Sequence, residues 1–332
     1  MVSSCNRVDK TVRFMNNKNM QTFLGIFLYI ASFFVLWLGA GLIISTVDKI
    51  SASLKVSRFA LSFFLLGLLT SIPELAVGVT SVIERDPEIF AGNLIGGIIV
   101  IFLLLIPVLA VFGNGIALTH NLDHKGLIMS LITTLLPALF IIDGSVHPFE
   151  ALLMILAYVI LFSTIQSKQH VLSRLESSVS HHWKRYLHHG IKILIGALIV
   201  IFTADYIVRQ TYVFSTALSI PPFLISLVAL SLGTNLPEFS LAFRSIYTKK
   251  KEVAFGDYIG SATANTLLFG LLVFANGGSV RITNTFLPTF IITSLGLSVF
   301  YIVAHSKNFI SRKEGGILLL LYGAFLAAQF FL

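Results

Sequence analysis

Two segments of this chain, 164 residues apart, are copies of one another. Leu66–Gly97 reads LGLLTSIPELAVGVTSVIERDPEIFAGNLIGG, and Leu230–Ser261 reads LSLGTNLPEFSLAFRSIYTKKKEVAFGDYIGS. Ten of the 32 aligned positions are identical without a gap, including Thr70/Thr234, Pro73/Pro237, Glu74/Glu238, Gly92/Gly256 and Gly96/Gly260. Chance likeness between apolar helices would match Leu, Ile and Val rather than Thr, Pro and Glu at fixed spacing. The chain is an internal duplication, and its fold must be one that two copies of a half can build.

The medium of that fold follows from composition. Of 332 residues, 56% are hydrophobic and 11% charged, against roughly a quarter charged in a soluble domain. Such a chain has too little polar surface to face water and must use lipid as its solvent. A spanning helix needs about 20 mostly apolar residues. Ten runs qualify, near 22–46, 57–82, 88–113, 126–143, 148–166, 190–212, 222–246, 253–275, 284–305 and 315–332. The first is too long for the apolar core of a signal peptide and no small-residue cleavage site follows it, so it reads as a retained helix.

Each repeat then holds five spans, an odd number, so the second must enter the membrane upside down relative to the first. The expected fold is an all-α membrane protein of ten transmembrane helices arranged as two inverted five-helix repeats. Its expected parts are an N-terminal tail with the first repeat (1–166), a basic cytoplasmic linker rich in Ser and His (167–189), and the second repeat (190–332). Inverted repeats are a recurring architecture of secondary transporters, with the binding site at the repeat interface near mid-membrane.

Orientation is read from Lys and Arg. With the N-terminus outside, the loops on the cytoplasmic side carry sixteen of the 23 basic residues, among them Lys49, Lys125, Lys249, Lys250, Lys251, Arg312 and Lys313. The positive-inside rule thus puts both termini on the extracytoplasmic side, against the pull of Arg7, Lys10, Arg13 and Lys18 in the tail. The lack of an Asn-X-Ser/Thr sequon fits a prokaryotic inner membrane.

The duplicated motif carries the chemistry. Pro73 has no N–H and its ring crowds the carbonyl four residues back, Leu69, so that carbonyl and its neighbour at Thr70 become available as ligands. Pro237 does the same for Gly233 and Thr234. Glu74 and Glu238 follow these helix breaks directly. A carboxylate at mid-bilayer costs at least ~2.5–3.5 kcal/mol, and two together repel, so a proton or a cation must neutralise them. Carbonyls, hydroxyls and carboxylates form an all-oxygen set suited to a hard cation such as Ca²⁺. The motif spans contain no histidine and the only cysteine is Cys5, which argues against a soft-metal site. The glycines four apart, Gly92/Gly96 and Gly256/Gly260, suit close helix packing and would set polar groups of the next helix beside the glutamates. In the second half those groups are Ser261, Thr263 and Asn265. Their first-half counterparts, Gly97, Ile99 and Ile101, offer no side-chain oxygen, so the site is lopsided.

On these residues the chain resembles the α-repeats of the cation/Ca²⁺ exchanger superfamily, whose signature is G-T-S-x-P-E followed by G-N-x-x-G-S-N. The likeness spans both repeats. It implies a central cation site formed by Glu74 and Glu238 with the carbonyls of Thr70 and Thr234, flanked by Na⁺ ligands at Ser71, Asn235, Ser261 and Asn265. Departures are Leu69 for Gly, Asn235 for Ser, Gly97 and Ile98 for Ser and Asn, and Asp257 for Asn. Asp257 adds a third carboxylate and joins the candidate Na⁺ or H⁺ ligands. The implied function is antiport of Ca²⁺ or a similar hard cation against Na⁺ or H⁺ by alternating access. The alternative is a divergent relative that is proton-coupled or does not transport at all.

Other classes have less behind them. No H-E-x-x-H motif is present, and two proline-linked glutamates lack the partners a catalytic dyad requires, so no enzyme is expected. No cofactor is expected beyond the transported Ca²⁺, Na⁺ or H⁺. Expected partners are membrane lipids and inorganic cations, with no nucleic acid, and the oligomeric state is left open. Asp205 reads as interfacial rather than as a relay, because its counterpart is Gly41. His181–His182 and His188–His189 read as part of a basic surface segment beside anionic lipid.

Overall fold

A computed structural model describes residues 23–46, 63, 66–117, 124–169, 183–249, 251–282, 286–307 and 309–331. Cys5, the tail, most of the 167–189 linker with His181–His182, and the loop bearing Lys49 lie outside these residues.

The described chain is almost entirely helical, as the apolar runs predict for a membrane protein. Helix α1 spans Phe23–Thr46. The first motif span is broken into α2 (Gly67–Thr70) and α3 (Ile72–Ile83). Helix α4 (Pro87–Val100) passes through a π-helical turn at Ile101–Leu105 into α5 (Ile106–Phe112). Strand β1 (Ile116–Ala117), α6 (His124–Phe140), β2 (Ser145–Val146) and α7 (Pro148–Gln169) complete the first half. The second half runs α8 (Trp183–Leu218), α9 (Pro222–Ile225), a π-helical turn at Ser226–Leu230, α10 (Ser231–Thr234), α11 (Leu236–Thr248) and α12 (Lys251–Ala275). Strand β3 (Val280–Arg281), α13 (Leu287–Lys307), β4 (Phe309–Ile310) and α14 (Arg312–Phe331) close it. Among the described residues, six single helices are long and apolar enough to cross a bilayer, and a seventh span is the bent pair α9–α10 plus α11.

The short strands display the inversion. Ile116 pairs with Ile310 and Val146 pairs with Val280, both antiparallel. Val280 lies 164 residues after Ile116, and Ile310 lies 164 after Val146, the same offset as the motifs. The two ladders are therefore one contact made twice, each joining the first half to the second. One ladder follows α5 and α13, and the other follows α6 and α12, so they mark opposite faces of the membrane.

Small residues bring the halves together. A Cβ on Gly96 would come within 2.1 Å of the Leu227 carbonyl oxygen, and one on Gly260 within 2.1 Å of that of Phe63. Phe63 and Leu227 are again 164 apart, and both lie in π-helical backbone. Each glycine helix thus packs against the broken span of the other repeat. That cross-repeat pairing is what lines up both motifs at one depth.

Two apolar cores result. The larger runs through α4–α7 and α11–α14. A second gathers Tyr29, Phe33, Leu36 and Ala40 of α1 with Val200, Ala204 and Ile207 of α8, and closes on Val77 of α3, Ile89 of α4 and Leu230. The Tyr29 hydroxyl also bonds Thr211 Oγ1 at 2.8 Å. Prolines inside spans leave carbonyls that must be satisfied locally. Pro137 lies inside α6, and the carbonyl four residues before it, Thr133, accepts from Thr266 Oγ1 at 3.0 Å. Lys251, at the start of α12, is more than a charge on a basic loop: its ammonium donates to the carbonyls of Gly113 and Gly115 just beyond α5, where a helix end carries partial negative charge.

A candidate cation site at the repeat interface

Both motif spans break at the same place. Ser71 (φ −79°, ψ 7°) separates α2 from α3, and Asn235 (φ −81°, ψ 14°) separates α10 from α11. The prolines occupy the first turn of the following helix, where a missing N–H costs nothing. The kink therefore falls two residues before each proline, and the second motif span bends by 43°. The carbonyls of Leu69 and Gly233 are approached by the N–H groups of Ser71 and Asn235. Glu74 and Glu238 stand one residue after the prolines, each carboxylate close to its own backbone N–H.

Thr70, Ser71, Glu74, Thr234, Asn235, Glu238, Asp257, Ser261 and Asn265 are all at most 2% exposed. Hydrogen bonds link them across the repeats. Thr70 Oγ1 donates to Asp257 Oδ1 at 3.1 Å, and Thr234 Oγ1 donates to Asn93 Oδ1 at 3.0 Å. Asn93 and Asp257 are repeat counterparts, so this is one bond made twice. Ser71 Oγ meets Ser261 Oγ at 3.1 Å, and Ser261 Oγ lies 3.1 Å from Glu238 Oε1. The Thr234 hydroxyl is also near Glu74 and the Thr70 hydroxyl near Glu238. The charges of Glu74 and Glu238 are close enough to act on each other, and Asp257 acts on both.

The first half answers its missing oxygens with space. Gly97 stands where its counterpart is Ser261, and the two amides Asn265 Nδ2 and Asn235 Nδ2 fill the place its side chain would take, 2.8 and 3.2 Å from an ideal Cβ. Asn235 Nδ2 also donates to the Ser231 carbonyl at 2.8 Å, which leaves its Oδ1 free. The Thr263 hydroxyl donates to the carbonyls of Ile259 and Gly260 of its own helix. Asn93, the Asn of the G-N-x-x-G motif, joins the site although it is not among the expected ligands, and Tyr258 is a member that the motif does not mark. The Tyr258 hydroxyl donates to the Glu238 carbonyl at 3.0 Å. The 164-residue offset from Asp257 is the signal that points to Asn93.

Buried polar atoms normally have partners, and here many have none. Both carboxylate oxygens of Glu74, Glu238 Oε2, Asp257 Oδ2, Asn235 Oδ1 and Asn265 Oδ1 lack a hydrogen bond. Among the described residues no three carboxylate, imidazole or thiolate groups converge closely enough to hold a metal ion by themselves. The acids are instead interleaved with hydroxyls and amides, the donor set of a hard cation.

At the membrane face marked by β2 and β3, a cavity of about 810 Å³ opens between the α3–α4 turn, α8 and the start of α9. Arg209 on its wall pairs with Glu84 at 2.7 Å and with Asp205 at 3.1 Å, so Asp205 belongs to an exposed ion pair. Asp86, in the same turn, has a pKa raised to about 6 by burial and by the Glu88 carboxylate, partly offset by the Glu88 N–H.

Known proteins resemble this chain in sequence and in fold. The family model for "Sodium/calcium exchanger protein" matches residues 24–166 and 189–331. The sodium/calcium exchanger MaX1 of Methanosarcina acetivorans is 23% identical over 345 residues, covering 89% of this chain and 95% of its own. A putative antiporter, CaxA, of Alkalimonas amylolytica is 23% identical over 323 residues, covering 91% and 98%. In fold, a structure of the sodium-calcium exchanger NCX_Mj soaked with Na⁺ and Sr²⁺ superposes with a TM-score of 0.65 at 20% identity, covering 92% of this chain and 98% of that one.

Proposed function

The chain belongs to the sodium/calcium exchanger protein family, and from that premise we propose that it is a secondary antiporter moving Ca²⁺, or a similar hard cation, against Na⁺ or H⁺ through a single central site. Glu74 and Glu238 are its principal ligands, with Thr70 and Thr234 contributing carbonyl oxygen. Ser71, Asn235, Ser261, Asn265 and Asp257 serve the counter-ion. The observation that carries the reading is the set of buried oxygens without partners around the two glutamates. Left bare, they would cost several kcal/mol each; a cation satisfies them together.

Exchange follows from charge. An empty site holding two or three carboxylates cannot cross the membrane interior cheaply, so each passage requires a cation or protons aboard. Alternating access presents the same site first to one side of the membrane and then to the other. The chain works in the prokaryotic inner membrane as two five-helix repeats, 1–166 and 190–332, joined by the linker 167–189, with both termini extracytoplasmic.

One observation favours protons over Na⁺ as counter-ion. On the first-half side Gly97, Ile98 and Ile101 replace oxygen-bearing ligands, while Asp257 adds a carboxylate that a proton can neutralise. Proteoliposomes separate the two: a Na⁺ gradient and a pH gradient are imposed in turn and Ca²⁺ movement is followed. Uptake driven by the pH gradient alone supports proton coupling, and uptake driven by Na⁺ alone overturns it. Absence of any flux would make the chain a non-transporting relative.

A further inference from the structure

We propose that the groove between α6 and α13 binds an anionic phospholipid, with an acyl chain along the groove and the phosphate at one end. The groove has a volume of about 450 Å³ and is lined on α6 by Ile128, Ile132 and Leu135, and on α13 by Ser294, Ser298 and Tyr301. Ile132 is 57% exposed and Ile302, also on the wall, 64%. In a membrane-spanning fold those side chains face lipid rather than water, so the neighbour available to fill the groove is an acyl chain.

The end of the groove supplies the head-group chemistry. Helix α6 ends beside β2 and α13 ends beside β4, on opposite membrane faces, so the two helices run antiparallel. Lys125, at the start of α6, and His305, near the end of α13, consequently lie at the same face. Lys125 precedes Ile128 by three residues and His305 follows Tyr301 by four, so both continue the groove-lining stripes. Both are exposed, and His305 stacks on Tyr301 with ring centroids 5.4 Å apart at 8°. Arg312 and Lys313 open α14 at the same face and are also exposed. Basic groups at the end of an interhelical groove suit a phosphate head group. They oppose a second copy seated there, because an axis along the membrane normal would set Lys125 against its own equivalent. Part-way along the groove, Ser294 Oγ is buried without a hydrogen-bond partner.

Native mass spectrometry of the purified full chain tests this with phosphatidylglycerol and phosphatidylcholine of identical acyl chains. The wild type is expected to retain phosphatidylglycerol about tenfold more strongly, which is about 1.4 kcal/mol. The surface double variant Lys125→Gln/His305→Gln is expected to reduce that preference several-fold while still binding phosphatidylcholine, and Ser298→Trp, which fills the groove, is expected to weaken both. Equal retention of the two lipids by the wild type, or an unchanged preference in the double variant, would overturn the proposal. So would disulfide-linked dimers of a Cys5→Ser/Ser298→Cys variant formed in the membrane, since with Cys5 removed they would show a second copy covering the groove.

Discussion

The Thr70 hydroxyl donates to Asp257 across the repeat interface at 3.1 Å, and the copy of this bond, from Thr234, ends on Asn93 at 3.0 Å. One structural position, filled by an acid in one half and an amide in the other, gives a symmetric frame an asymmetric charge. Asp257→Asn makes the halves alike at this position. It is expected to keep the threonine bond, to weaken Ca²⁺ affinity at least tenfold, and to change which gradient drives transport. Isothermal titration with Ca²⁺ and gradient-driven flux measure the two effects.

Gly97 holds open the space that Asn235 and Asn265 occupy. Gly97→Val would push both amides out of place. Cation binding is expected to be lost while the melting temperature in detergent stays within a few degrees of wild type. Retained affinity would remove the two amides from the site.

The glycines that let the halves interlock are backbone contacts and cannot yield as a side chain can. Gly96→Ala and Gly260→Ala each set a Cβ against a carbonyl oxygen. Overpacking of this kind costs about 1–3 kcal/mol, so both variants should melt lower than wild type. Gly41→Ala, with nothing within 4 Å, is the control expected not to melt below wild type, alanine being the better helix former.

Asp86 gives a pH dependence with a definite sign. Its folded pKa of about 6 lies above the ordinary 3.8, so the folded state holds the proton more tightly than the unfolded one. The stability it contributes is full below pH 4 and is lost as pH rises through about 6. Asp86→Asn keeps a competent helix-capping residue at the start of α4 and removes the charge. It is expected to melt higher than wild type at pH 8 and alike at pH 4, by differential scanning fluorimetry.

Much of this was legible in the sequence, for identifiable reasons. Duplication, odd span number and glycines four apart together imply two inverted halves in close contact, and the Ile116–Ile310 and Val146–Val280 ladders repeat the same offset. The partner of each glycine helix was not legible, because spacing along one chain does not say whether Gly96 meets its own repeat's broken span or the other's. Proline chemistry locates a break, but the kink falls at Ser71 and Asn235, since proline fits the first turn of the next helix better than a bend itself. Gly97 reads as a lost ligand in sequence, whereas in space it is the gap that admits Asn235 and Asn265.

The central claim is that Glu74 and Glu238 hold one cation between them. Anomalous diffraction from crystals soaked in Sr²⁺ tests it most directly, in wild type and in Glu74→Gln and Glu238→Gln. A single Sr²⁺ peak contacting both carboxylates, absent from both variants although they remain folded, is the expected result. A peak bound to only one glutamate, or one that survives either substitution, would contradict it.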